Sequence, residues 1–64
     1  MPDYPRMAVL DLLLLRIQEA EETLEEIRPE LSEDDQLRID RAIIILMTKE
    51  NAIKNELTEL EGMR

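Results

Sequence analysis

Pro29 divides the chain into two long helix-forming segments, and this break constrains the fold more than any other feature. Between positions 6 and 61 there is no other proline and no glycine. Proline cannot continue an α-helix, and it pushes the residue before it out of the helical region. The sequence therefore predicts an all-α, two-helix antiparallel hairpin in a single domain, residues 1–64. Helix 1 is predicted at about 4–28, the turn at 29–32 and helix 2 at about 33–61.

Capping residues stand at the predicted helix ends. Asp3 precedes the first helix and Ser32 the second, and both residue types accept hydrogen bonds from the free N–H groups of a first helical turn. Asp35 follows Ser32 by three residues, which resembles a capping box with Asp in place of Glu or Gln. Gly62 follows the last apolar residue of the second helix, where a glycine in the left-handed conformation commonly ends a helix.

Apolar residues recur at steps of three, four or seven in both segments, the spacing of a helix face that packs against another helix. In the first segment these residues are Leu10, Leu13, Ile17, Ala20, Leu24 and Ile27. In the second they are Ile39, Ile43, Leu46, Ile53, Leu57 and Leu60. Because the connection is short, we expect the two helices to be antiparallel neighbours.

The apolar residues are too numerous for a lone hairpin to cover. Residues 7–17 are apolar on nearly every side of the helix, and so are residues 42–47; such helices need more than one neighbour. A homodimer that forms a four-helix bundle is the simplest arrangement that supplies the missing contacts. A higher oligomer or a different protein could cover the same residues. The predicted dimer interface comprises Leu10, Leu12, Leu13, Leu14, Leu15, Ile17, Ile43, Ile44 and Met47.

The connection between the helices reads Glu30-Leu31-Ser32-Glu33-Asp34-Asp35-Gln36 and is followed by Ile39. Together with the chain length and the two-helix plan, this stretch resembles the plasmid Rop (repressor of primer) family. The resemblance implies a Rop-like architecture, an antiparallel dimeric bundle. Rop proteins bind paired RNA loops through polar, basic and aromatic residues of the first helix. The corresponding positions here are Pro5, Leu12, Arg16, Ala20 and Ile27, so the resemblance implies the architecture and not the RNA contacts.

Negative charge is concentrated around the predicted turn. The segment from Glu19 to Asp35 contains nine acidic residues and one base, Arg28, whereas the rest of the chain has seven of each. We predict an acidic tip that binds a protein partner with a basic surface. The alternative is a solvated face that only maintains solubility. The residues of the predicted tip are Glu21, Glu22, Glu25, Glu26, Glu30, Glu33 and Asp34.

Residue types argue against an enzyme, a cofactor and a metal site. The chain has no Cys and no His, which removes Cys nucleophiles, His-based acid–base chemistry and the residues that most structural zinc sites need. The many carboxylates are predicted on the wet face, where two of them would keep similar pKa values and could not divide acid and base roles. We therefore expect no catalytic residues, no cofactor and no metal.

These observations favour a non-enzymatic regulatory or adaptor module that homodimerises and binds a protein. One alternative is a Rop-like RNA-binding regulator that uses Arg16, Arg38 and Arg41; another is an acidic nucleic-acid mimic that inhibits a DNA- or RNA-binding protein. Direct binding to nucleic acid is disfavoured because the basic residues are scattered and Tyr4 is the only aromatic residue. The longest apolar runs are far shorter than the roughly 20 residues that span a bilayer, so no membrane partner and a cytoplasmic location are expected.

Overall fold

Two long helices make up the structure, a computed structural model that describes residues 3–62. Helix α1 is Tyr4–Ile27, a single 3₁₀ turn follows at Arg28–Glu30, and helix α2 is Glu33–Gly62. The helices pack against each other as an antiparallel hairpin of 50 × 15 × 10 Å. The all-helical hairpin is therefore confirmed. The C-terminal ends of both helices differ by one residue from the sequence-based bounds.

Side-chain caps begin both helices. The Asp3 carboxylate accepts a hydrogen bond from the backbone N–H of Arg6 at 3.1 Å, and the Ser32 hydroxyl accepts one from the backbone N–H of Asp35 at 3.3 Å. Both predicted N-caps are confirmed. The predicted role of Gly62 is wrong, because it is the last residue of α2 and its φ is not positive. Glycine adopts helical angles wherever the chain is not forced to reverse at that position.

The hydrogen bonds at the end of α1 are arranged around Pro29, whose backbone has no N–H group to donate. The backbone N–H of Arg28 still donates to the Leu24 carbonyl, and Leu31 then donates to the Arg28 carbonyl at 3.1 Å in a 3₁₀ turn. The Gln36 side-chain amide also donates to the Arg28 carbonyl, at 3.0 Å, and to the Leu31 carbonyl, at 3.2 Å. A side chain of α2 thus adds hydrogen bonds to carbonyl groups of the connection that follows α1.

The packed face of α2 contains every residue of the predicted seam. Ile39, Ile43, Leu46, Ile53, Leu57 and Leu60 are all at least partly buried. Two polar residues, Gln36 and Glu50, lie at the positions that continue this spacing, and both are also partly buried. The contact face of α2 is therefore an unbroken heptad pattern in which Glu50 fills the gap between Leu46 and Ile53.

The packed face of α1 differs from the predicted one. Leu13 and Ile27 are 44% and 39% exposed, whereas the other predicted residues, Leu10, Ile17, Ala20 and Leu24, are at least partly buried. The packed face instead includes the polar residues Glu21 and Arg28. The side chains of these two residues extend across the contact to acidic residues of α2. Besides Ala20, the at least partly buried residues of α1 and its C-terminal cap are Met7, Leu10, Leu14, Ile17, Glu21, Leu24 and Arg28, which follow one another at steps of three and four.

The core of the hairpin is small. Leu10 is 1% exposed, and among the described residues no other side chain is fully buried. Large apolar side chains at ten described positions remain at least 39% exposed. Most of the apolar surface of this chain therefore lies outside the contact between the two helices.

We predict that Leu10→Ala destabilises the hairpin far more than Leu37→Ala. Leu10 is buried between the helices, whereas Leu37 is 57% exposed, so only the first substitution leaves a cavity. Truncation of a buried leucine typically costs about 2–4 kcal/mol. Urea unfolding followed by far-ultraviolet circular dichroism measures the difference. Equal losses in the two variants would contradict the described packing.

Candidate functional site

The acidic tip lies at the turn end of the hairpin. Glu22, Glu25 and Glu26 lie on the last turns of α1, and Glu30 lies on the 3₁₀ turn. Glu33 and Asp34 follow on the first turn of α2, where the helix dipole favours negative charge. All six carboxylates are exposed. The fold therefore gathers six of the seven predicted tip residues at one end of the molecule.

Glu21 does not belong to this exposed tip. It lies on the packed face of α1, and its Oε1 atom is buried without a hydrogen-bond partner among the described residues. The expectation that the carboxylates all lie on the wet face is therefore wrong for Glu21. Apolar spacing alone could not locate it, because the predicted face runs through the adjacent Ala20 and leaves Glu21 outside the pattern.

Glu21 and Glu50 form a pair of carboxyl groups between the helices. The Glu50 side chain is only 14% exposed, and its Oε1 atom lies 3.4 Å from Lys54 Nζ. Burial raises the pKa of Glu21, and the negative charges of Glu50 and Glu25 raise it further. Lys54 acts in the opposite direction. This pair was not predicted from the sequence, although both residues stand at heptad positions of the packed faces.

Two bidentate ion pairs join the helices nearer their ends. Arg28 donates to both carboxylate oxygens of Asp40, at 2.8 and 3.1 Å, close to the turn. Arg6 donates to both oxygens of Glu56, at 2.8 and 3.3 Å, near the open end. The hydrogen bonds from these arginines hold the pKa values of Asp40 and Glu56 below their ordinary values. Paired hydrogen bonds of this kind fix geometry as well as charge.

The predicted dimer interface is divided between the packed face and the outer surface. Leu10 is buried and Leu14, Ile17 and Ile43 are partly buried. The remaining members are between 44% and 62% exposed, namely Leu12, Leu13, Leu15, Ile44 and Met47. Only the second group is available to another molecule in this hairpin.

The three arginines considered for RNA binding are not equally free. Arg16 donates to Glu19 at 3.0 Å, and Arg38 donates to Asp35 at 3.3 Å, each pair within one helix. Arg41 is exposed. Pairing with a neighbouring carboxylate reduces the positive charge that Arg16 and Arg38 offer to a phosphate backbone.

Neither a metal site nor a membrane span is found in residues 3–62. No three acidic side chains there are grouped so that they could hold an ion. Neither helix, over the same residues, is long and apolar enough to cross a bilayer.

Comparison with known proteins adds no functional assignment. No protein-family model matches the chain, and neither a curated protein nor a solved structure is significantly similar to it.

We predict that Asp40→Asn lowers the melting temperature at pH 7 and that the difference from the parent disappears in acid. Arg28 holds the pKa of Asp40 below its ordinary value. The contribution of the Arg28–Asp40 ion pair to stability is therefore present above about pH 4 and is lost as the pH falls through the lowered pKa of Asp40. Thermal unfolding between pH 2 and 7 measures the effect. Asp11→Asn is the matched control because Asp11 is exposed and lies outside the first turn of its helix; an identical pH profile in both variants would contradict the ion pair's role.

Proposed function

We propose that this protein is a non-enzymatic regulatory or adaptor module that homodimerises as a four-helix bundle and binds a basic protein surface through its acidic tips. The observation that carries the proposal is the imbalance between one fully buried side chain, Leu10, and the many exposed apolar ones. Exposed apolar surface on this scale commonly marks a contact with another protein.

The total surface area supports a second copy as the occupant. The hairpin exposes 5038 Å², whereas a compact monomer of 7.5 kDa exposes about 4,200 Å². The excess of about 800 Å² equals what each partner buries in a stable interface of standard size. A second hairpin of the same length and shape matches this extended surface.

One side of the hairpin carries apolar residues of both helices for that contact. With 3.6 residues per turn, Leu13 and Ala20 lie on the same side of α1 as Arg6. Ala52 and Ile45 lie on the same side of α2 as Glu56. The Arg6–Glu56 ion pair brings these two sides together. Leu13 is the member of the predicted interface that lies on this side. Because the side combines small residues (Ala20 and Ala52) with a large one on each helix, it can interdigitate with the same side of a second hairpin.

Charge favours an antiparallel arrangement of the two hairpins. The segment from Glu19 to Asp35, which holds the tip, carries nine acidic residues and one base, whereas the rest of the chain is balanced. Placing two turn ends side by side would bring like charges together. An antiparallel arrangement separates the two acidic tips by about 50 Å, the length of one hairpin. Each dimer then presents two identical acidic tips to basic partners.

We predict a solution mass of twice 7.5 kDa that persists on dilution. Light scattering after size exclusion across a concentration series measures it. The double variant Leu13→Glu/Ile45→Glu is expected to give the monomer mass, because it places four charges in the proposed interface. Tyr4→Glu is the control, since Tyr4 is 63% exposed and lies on the opposite side of α1 from Leu13. A parent chain that is monomeric at all concentrations would contradict the dimer.

We predict that the tip, and not net charge alone, determines binding to a basic surface. The probe is an immobilised helical peptide rich in lysine and arginine, measured by calorimetry or surface plasmon resonance. Glu22→Lys/Glu25→Lys/Glu26→Lys is expected to weaken binding by more than tenfold. Asp11→Lys/Glu59→Lys/Glu61→Lys makes the same charge change at exposed positions outside the tip.

This matched pair distinguishes a docking surface from general electrostatic attraction. If both triple variants weaken binding equally, the acidic tip is only a solvated face and the proposal fails. Solution mass and circular dichroism of each variant show that the hairpin remains folded. A steeply salt-dependent binding of RNA that requires Arg41 would favour the RNA-binding alternative instead.

A further inference from the structure

The middle of the interhelical contact contains two acidic residues instead of an apolar pair. Glu21 stands between Ile17 and Leu24 in the heptad pattern of α1, and Glu50 stands between Leu46 and Ile53 in that of α2. Both residues are flanked by partly buried apolar side chains on their own helices. A carboxylate in such a position loses hydration, which disfavours its charged form.

The oxygens of this pair are not satisfied when both groups are ionised. Glu21 Oε1 is buried and has no partner among the described residues. The Glu50 side chain is 14% exposed, and its single salt bridge is the 3.4 Å contact with Lys54. Since carboxylates only accept hydrogen bonds, neither group can satisfy the other without a proton.

The surrounding charges do not compensate for two negative groups. Glu25 on α1 adds a further negative charge near Glu21, and Lys54 on α2 is the cation within residues 3–62 that lowers its pKa. The nearby arginines are engaged elsewhere, Arg16 with Glu19 and Arg28 with Asp40. One ammonium group therefore faces three carboxyl groups.

We propose that Glu21 and Glu50 form a proton-dependent contact that couples closure of the hairpin to pH. When one proton is shared by the pair, Glu21 donates a hydrogen bond to Glu50 and the middle of the α1–α2 contact tightens. When both groups are ionised, their charges repel each other and the same region loosens. The ligand of this contact is a single proton, and the contact operates within one chain, with or without a dimer.

The direction of the pH effect follows from the folded state's preference for the protonated form. Burial and the charge of Glu50 raise the pKa of Glu21. The stabilising contribution is therefore complete below the ordinary Glu pKa of about 4.3 and is lost as the pH rises through the raised pKa. Asp40 and Glu56 act in the opposite sense, because their ion pairs are lost in acid. Stability should pass through a maximum between these two titrations.

Carbon-13 NMR titration of the glutamate carboxyl groups in the full chain tests the proposal directly. Glu21 is expected to titrate at a higher pH than the exposed Glu22 in the same spectra. Glu50→Gln is expected to lower the Glu21 midpoint, because it removes the neighbouring charge and supplies an amide donor. Glu22→Gln removes one charge at the adjacent exposed position and should leave that midpoint nearly unchanged.

Thermal unfolding provides a second readout. Glu21→Gln should raise the melting temperature at pH 7 and have a smaller effect at pH 4, where the parent already carries the proton. Glu22→Gln should show no such difference between the two pH values. The proposal is overturned if Glu21 titrates together with Glu22 in the parent chain. It is also overturned if the melting temperatures of Glu21→Gln and Glu22→Gln depend on pH in the same way. The parent titration is decisive even if a variant folds poorly.

Discussion

The narrow contact between α1 and α2 is the constraint on which the rest of the structure depends. Two helices can cover only one stripe of each other, and in this chain that stripe contains a single fully buried residue, Leu10. Polar residues occupy several of its heptad positions, and bidentate Arg–carboxylate pairs hold it near both ends. The hairpin therefore combines a small apolar core with ion pairs that are partly exposed to solvent, and such pairs contribute little each.

This arrangement makes the contact sensitive to pH in two directions. The Arg6–Glu56 and Arg28–Asp40 pairs require ionised carboxylates, whereas the Glu21–Glu50 pair is better satisfied with a proton. The two ends and the middle of the hairpin thus respond oppositely to acid. A core of apolar residues alone would have given neither response, because none of its members titrates.

The functional proposals follow from what the hairpin leaves uncovered. Apolar side chains such as Leu13 and Ile45 remain exposed because one partner helix cannot cover the full circumference of another. The acidic residues meet at the turn end because the chain reverses in the middle of its most acidic segment. Self-association and partner binding would therefore use different parts of the same rod, its sides and its tips.

The sequence by itself determined the hairpin. Pro29 fixes the break, Asp3 and Ser32 fix the helix starts, and the apolar spacing of α2 identifies its packed face, since each of these signals is local in the chain. Only the tertiary structure decided which face of α1 is packed and what Glu21 does. Apolar residues surround the first half of α1, so its periodicity fits more than one face, and the choice rests on contacts with Asp40, Glu50 and Glu56 of the other helix. Such contacts join residues far apart in sequence, and the spacing within one helix does not record them.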